Sequence, residues 1–231
     1  MVSRIVESYE GSSETYTINF TYDGTRLTRG VDSDGYQTSF SYQNDKLVGT
    51  QSTNGVDDSE NISETYTYDA EGRLATITTS IAGFGTSMSN VAHSSNNTVV
   101  ERLDPSNNDV IDRTTLSNEN VVKFEEFDSN NNLSYQEDFT YGNMSSPFVN
   151  MDLRSDFLTI SSENLSDVFY FNANNILTES YSDPNVPEFN STSTYSYTFN
   201  EDGYPETITE VYAEDGFTET ITYTLTYITI N

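Results

Sequence analysis

Polar and apolar residues alternate along most of this chain with a period of two. Between Glu14 and Tyr22, Tyr16, Ile18, Phe20 and Tyr22 fall on one side and Thr17, Asn19 and Thr21 on the other. The final segment is more regular. Phe217, Ile221, Tyr223, Leu225 and Tyr227 share one face, while Thr218, Thr220, Thr222, Thr224 and Thr226 share the opposite one. Alternation built from aromatic and β-branched residues predicts half-buried strands. No 3.6-residue stripe runs longer than two turns, so helix content is expected to be close to nil. The aromatic face predicts a core containing Tyr16, Phe20, Tyr66, Tyr68, Tyr195, Tyr197, Phe199, Ile221, Tyr223 and Leu225.

Turn-forming pairs punctuate the strands. Asp34-Gly35, Asp202-Gly203 and Asp215-Gly216 tolerate positive φ and signal hairpins. Asn130-Asn131-Asn132 and Asn174-Asn175 can do the same. The turns recur in a repeat: an aromatic strand end, a polar turn, then a basic or apolar restart. Its clearest copy is Tyr66-Thr67-Tyr68-Asp69-Ala70-Glu71-Gly72-Arg73-Leu74. Further copies end at Leu27, Leu47, Leu133, Leu177 and Pro205, anchored on Tyr22, Tyr42, Phe127, Phe171 and Phe199. Weak copies lie around Ser94-Ser95-Asn96-Asn97 and Ser117-Asn118-Glu119-Asn120. A mean repeat of about 22 residues is one hairpin, so the chain is expected to be a meander of roughly 16 to 18 strands.

The Tyr66–Leu74 copy resembles the YD repeat of RHS-type proteins: aromatic, any residue, Tyr-Asp, two residues, Gly-Arg-Leu. The copies at Tyr22 and Tyr42 have a turn one residue shorter, and later ones replace Tyr-Asp with Phe-Asn or Phe-Asp. The layout as a whole is similar to a family of Bacteroidota cell-surface lipoproteins with degenerate YD repeats. Leu116 to Phe124, Phe139 to Phe148 and Phe199 to Pro205 are the stretches that carry the likeness. That resemblance implies export by a lipoprotein signal, with the lipidated cysteine upstream of Val2 and Met1 an added initiator. It brings no catalytic residues.

Composition narrows the picture. Thirty-seven acidic residues against nine basic ones give a net charge of −28. Such a surface repels phosphate backbones and anionic lipid, so no nucleic-acid partner is expected. Without cysteine, disulfides and thiolate metal sites are impossible. Length, alternation and repeat together predict one all-β domain over residues 1–231, with a degenerate middle at about 82–120. Open sheets beyond about ten strands curl, split or close. A wide closed cylinder would leave the Tyr and Phe face wet, so a partly open or flattened barrel-like sheet is expected, bent in the degenerate middle. That stretch and the rim loops are the expected place for a ligand.

Candidate chemistry is sparse. His93, the single histidine, reads as an exposed turn residue beside Ser94 and Ser95. Glu137, between Tyr135 and Phe139, and Glu219, between Phe217 and Ile221, place carboxylates in apolar register. Facing another acid in a cleft, either would suit a carboxylate-pair glycoside hydrolase. Asp32-Ser33-Asp34-Gly35 and Glu201-Asp202-Gly203 resemble fragments of calcium loops but lack the later bidentate glutamate, so Asx turns are expected.

The function expected is a non-enzymatic extracytoplasmic binding or structural module on a bacterial cell surface. The expected partner is a surface protein or glycan, the expected state a monomer, and no catalytic, metal or cofactor residues are assigned. A hydrolase and an outer-membrane β-barrel are the alternatives. Because one face is Thr, Ser and Glu and the other lacks an aliphatic band with girdles, no membrane insertion of this domain is expected.

Overall fold

The computed structural model describes residues 1–54, 61–152 and 172–229. Sixteen antiparallel strands form one meander. These are β1 (Val2–Tyr9), β2 (Thr15–Asp23), β3 (Arg26–Asp32), β4 (Tyr36–Gln43), β5 (Lys46–Asn54), β6 (Ile62–Tyr68), β7 (Leu74–Ile81) and β8 (Gly85–His93). Then follow β9 (Val99–Leu103), β10 (Val110–Ser117), β11 (Asn120–Phe127), β12 (Leu133–Ser145), β13 (Asn174–Ser182), β14 (Ser191–Phe199), β15 (Pro205–Glu214) and β16 (Phe217–Tyr227). A 3-10 turn at Pro187–Phe189 is the helical element among the described residues.

Each strand pairs with its sequence neighbours, and β1 pairs with β16, so the sheet is a closed barrel. The closing register runs from Val2 opposite Tyr227 to Tyr9 opposite Ile221. This corrects the expectation of a partly open or flattened sheet. The premise that the aromatic face must be buried holds, but closure does not forfeit that burial. The inward side chains form one contiguous core drawn from strands all round the barrel, including Ile5, Phe20, Leu47, Tyr66, Val121, Ile176 and Tyr223. The degenerate middle does not bend or open. There the inward positions include Ser89, Arg102, Asp112 and Thr114, which blur the hydrophobic pattern without breaking the ladder. The ion pairs Arg102–Asp112 inside and Arg113–Glu101 outside hold the register across β9 and β10.

The end carrying the chain termini is termed the lower rim. Just inside it lies a ring of hydrogen bonds from side chains on even-numbered strands to the preceding odd-numbered strand. Tyr22 donates to the Val2 carbonyl at 2.7 Å, Tyr42 to Leu27 at 2.6 Å and Tyr227 to Pro205 at 2.7 Å. Tyr68, Tyr141 and Tyr197 donate likewise to Leu47, Val121 and Ile176. His93 takes the same slot on β8, its Nε2 2.8 Å from the Leu74 carbonyl. It is therefore a half-buried ring member, not the exposed turn histidine expected. Leu116 fills the corresponding place on β10, facing Val121. The repeat thus encodes a tyrosine spoke and an apolar residue, and both are read by the barrel interior.

The acidic residue of the repeat has a separate role. Asp69 accepts the backbone N–H of Arg73 at 2.8 Å while Gly72, at φ +78°, closes the loop. Asp128 accepts Asn130 and Asn132 N–H groups at 2.8 Å around Asn131, at φ +62°. Asn200 accepts Tyr204 N–H at 3.0 Å around Gly203, at φ +81°. The left-handed third position explains Gly or Asn there. Asp128 lies on the upper rim, whereas Asp69 and Asn200 lie on the lower. The Phe127 copy is therefore out of phase with the others, and the motif marks a turn chemistry, not a fixed rim. The Phe171 anchor lies outside the described residues.

Of the expected core, Phe20, Tyr66, Tyr195, Tyr223 and Leu225 are buried, and Tyr16, Tyr68, Tyr197 and Ile221 are partly buried against them. Phe199 is a correction: it lies past the register shift at the end of β14 and is 37% exposed. Outward positions carry hydroxyls, as in Thr15, Thr17 and Thr21 on β2 and Thr218 to Thr226 on β16.

Two outcomes test this description. Tyr197→Ala should cost about 3–5 kcal/mol in urea unfolding, as for a large core truncation, and Phe199→Ala well under half of that. Backbone N–H donors hold the Asp69 and Asp128 carboxyls below the usual range. Their contribution is present above the ordinary carboxylate pKa and is lost as pH falls through the depressed folded value. Asp69→Asn, which copies the Asn200 turn, should flatten the acid limb of Tm against pH below about pH 4.

Candidate functional site

Inward side chains change character along the barrel axis. The lower half is mainly apolar, with Asn120, Asn172 and Asn175 buried where β11 and β13 begin. Towards the upper rim the same strands present acids and hydroxyls: Glu7 on β1, Glu64 on β6, Asp112 on β10, Glu179 on β13 and Glu210 on β15. The period of two places them inward because each is flanked two residues away by another inward residue, as Ile5 and Tyr9 flank Glu7 and Ile208 and Tyr212 flank Glu210.

On the arc from β13 to β1 these residues line a cavity of about 250 Å³ at the upper mouth. Its walls are Glu7, Tyr9, Glu179, Tyr181, Ser191, Ser193, Tyr195, Glu210, Tyr212, Ile221 and Tyr223. Strand register brings them together. Glu7 lies opposite Tyr223, Tyr9 and Glu210 opposite Ile221, Glu210 also opposite Tyr195, Tyr212 opposite Ser193, and Tyr181 opposite Ser191.

Glu210 is the hub. It is 7% exposed and accepts hydrogen bonds from three hydroxyls: Ser193, Tyr195 at 3.2 Å and Tyr223 at 2.8 Å. The Tyr195 hydroxyl also lies 3.0 Å from Glu179. One hydroxyl proton therefore faces two carboxylates, and it is donated to one at a time. Tyr9 donates to Glu7. Glu7 lies near enough to Glu210 and Glu219 for their charges to repel. A carboxylate accepts about four hydrogen bonds, so Glu210 has capacity for one more donor.

Among the described residues the lower end is obstructed. The segment after β12 crosses the opening: Phe148 and Met151 are buried, and Phe148 meets Phe20 edge-on at 5.5 Å. Asp152 N–H donates to the Thr25 carbonyl at 3.1 Å, in the β2–β3 turn on the far wall. The Asn150 amide donates to the Tyr204 hydroxyl at 2.6 Å.

Against the expected site residues the outcome is mixed. Glu219 faces inward opposite Tyr212, beside the cavity. Glu137 also faces inward, opposite Phe124 and Tyr181, but is not among the cavity's walls. Asp32 accepts the N–H groups of Asp34 and Tyr36, both at 2.9 Å, as an Asx turn does. The Glu201-Asp202-Gly203 fragment belongs to the Asn200 turn. In the degenerate middle, where a site was expected, the described residues form a shallow hollow of about 470 Å³ beside the β7–β8 turn, lined in part by Ala82, Gly83 and Thr86. Glu7, Glu179 and Glu210 were not singled out from sequence. Their signal, a carboxylate in apolar register, is the one that marked Glu137 and Glu219.

No family model matches this chain, and no curated protein matches it. Its fold does have solved counterparts. A porin-like protein from Bacteroides uniformis is 16% identical and superposes over 97% of this chain and 96% of its own, with a TM-score of 0.56. Another porin-like protein, from Bacteroides vulgatus, is 10% identical over 98% of both chains, with a TM-score of 0.48. At 16% identity the first likeness establishes the fold alone. The shared fold and the closed sixteen-strand barrel correct the expectation of no membrane insertion, since a closed barrel is the β architecture that can span a bilayer. The outward hydroxyls on which that expectation rested are where sequence placed them.

The Glu210 network yields a stability prediction. Tyr223→Phe removes one of three donors to a buried carboxylate and should cost about 1–3 kcal/mol in denaturant unfolding. Thr222→Ala, one residue away on the outer wall, should stay within about 0.5 kcal/mol.

Proposed function

We propose that this chain is a porin-like β-barrel of the bacterial outer membrane or cell surface whose lumen serves as a binding chamber. The observation that carries this reading is the contrast between the two ends. Below, a tyrosine ring and the Phe148–Met151 crossing segment fill the lumen. Above, strands of the same barrel open into a cavity lined by carboxylates and hydroxyls. A barrel of sixteen strands ordinarily leaves an aqueous channel. Among the described residues inward tyrosines and the crossing segment occupy that space at the lower end, so solute would enter from the upper side and be stopped below.

The envelope location is supported by the porin-like relative of the same fold. Tethering by a lipid on an upstream cysteine, and kinship with YD-repeat proteins, belong to this proposal as well. The turn built on Asp69 supports the kinship, because it gives the Tyr-Asp-x-x-Gly-Arg-Leu pattern a structural purpose. Binding is favoured over hydrolysis because Glu210, the most enclosed carboxylate of the cavity, is engaged by three hydroxyl donors.

The test is solute permeation. Protein that floats with lipid vesicles on a density gradient is assayed for release of entrapped small sugars. The expected outcome is no release above that of protein-free vesicles. Steady release that scales with protein would overturn the closed-chamber reading in favour of an open pore.

A further inference from the structure

We propose that the hollow beside the β7–β8 turn on the upper rim is a binding site for a short neutral oligosaccharide. It is separate from the upper cavity, since no described residue lines both, and it stands independently of the binding chamber. Strand register builds its wall. Gln51, Ser63, Ser80 and Thr86 lie opposite one another in turn across β5, β6, β7 and β8, so they form one row. The row crosses three strand spacings of about 4.8 Å each, which is longer than one sugar ring. Gln51, Ser63 and Thr86 are exposed. The Gln51 amide offers two donors and an acceptor, and Ser63 offers a hydroxyl. The Ser80 and Thr86 hydroxyls lie 2.7 Å apart, and whichever accepts keeps its own proton for a ligand. A volume of about 470 Å³ falls within the range of ligand sites, ~300–1,000 Å³.

The second observation is Phe84. Its side chain is 86% exposed, and Ile81 and Met88 in the same hairpin are exposed as well. Phe84 stands between Gly83 at φ +78° and Gly85 at φ +111°, both in the wall of the hollow. A Cβ added at either glycine would meet nothing within 4 Å, so the glycines serve backbone conformation and not packing. The turn is closed by the Phe84 N–H donating to the Ile81 carbonyl at 3.1 Å, a bond that any residue but proline could make. The phenyl ring therefore contributes little to the fold, yet it stands on the lip of a polar hollow. A flat ring beside amide and hydroxyl groups is the chemistry that holds a sugar, whose C–H face packs on the ring while its hydroxyls pair with the polar row. Charge narrows the class. None of the described lining residues is ionisable, in a chain with 37 acidic residues. The net charge of −28 repels acidic glycans, and a neutral wall has no counter-charge for a cation.

Calorimetric titration of the full chain would use a panel of neutral trisaccharides (maltotriose, cellotriose, laminaritriose, mannotriose and tri-N-acetylchitotriose), with trigalacturonate as the anionic control. Saturable binding of at least one neutral member is expected, and none of trigalacturonate. Phe84→Ala should weaken that binding by about tenfold or more and spare the melting temperature, as for an aromatic that anchors a ligand and not the fold. Gln51→Ala should weaken it too. Tyr212→Leu, in the wall of the upper cavity, should leave it unchanged. Failure of every neutral member to bind, binding that Phe84→Ala leaves intact, or equal binding of trigalacturonate would overturn the proposal. Binding lost in Tyr212→Leu and kept in Phe84→Ala would overturn it by placing the sugar in the chamber. Phe84-dependent self-association in analytical ultracentrifugation, without sugar binding, would overturn it by assigning the exposed patch to contact between copies of this chain.

Discussion

Everything in this fold depends on the pairing of β1 with β16. Val2 to Tyr9 must find Ile221 to Tyr227 across almost the whole chain. An open meander would present two bare edges, each a template for pairing with other chains. Closure removes both and turns the inner face into an enclosed space. Buried Val2 and Ile5 on the first strand then meet the same core as Tyr223 and Leu225 on the last. The other pairings join sequence neighbours, mostly through short turns; the β12–β13 pair, separated by residues 146–173, is the long exception. The seam is the largest loop-closure cost, and its late formation is the physical expectation for so non-local a contact.

What keeps a sixteen-strand barrel from being hollow is side-chain length. Aliphatic residues alone would leave the axis wet. Tyrosine reaches further, and its hydroxyl needs a partner when buried. The lower ring meets both demands, since each spoke ends on a neighbouring strand's carbonyl. The crossing segment adds Phe148 and Met151 where spokes alone would not meet. Glycine also matters where strands must approach closely. A Cβ on Gly49 would lie 2.6 Å from the Glu64 carbonyl oxygen, so any larger residue there would force β5 from β6.

Strand number, antiparallel order and face assignment were legible in the sequence because a period of two survives in nearly every strand. The turn residues were legible for the same local reason: positive φ restricts residue choice. Closure was not legible. It depends on whether the interior can be filled, and that depends on tyrosine reach and on a segment between β12 and β13 with no periodic signal. The phase of the Phe127 copy was misread because the Asp-capped turn recurs on both rims. Phe199 was misplaced because a register shift at Thr198 breaks the alternation that the reading extrapolated. The cavity was half legible. Carboxylates in apolar register can be found one at a time, but only strand pairing shows that Glu7 and Glu210, some two hundred positions apart, share a wall.

The charge of −28 takes on a different meaning in this light. Acids spread over an outer wall would serve solubility alone. Here the outward strand positions are dominated by threonine and serine, and a distinct set of acids faces the lumen near the upper mouth. On the β9–β11 side of the lumen Arg102 neutralises Asp112. On the β13–β1 side the partners of Glu7 and Glu210 among the described residues are hydroxyls. Two regions of one lumen thus solve the buried-charge problem differently, one by an internal ion pair and one by neutral donors that leave the net charge in place. Stability alone would favour the ion pair or an apolar replacement at both. The β13–β1 side, where the described residues meet the carboxylates with hydroxyls, is also the side where the lumen widens into a cavity at its mouth.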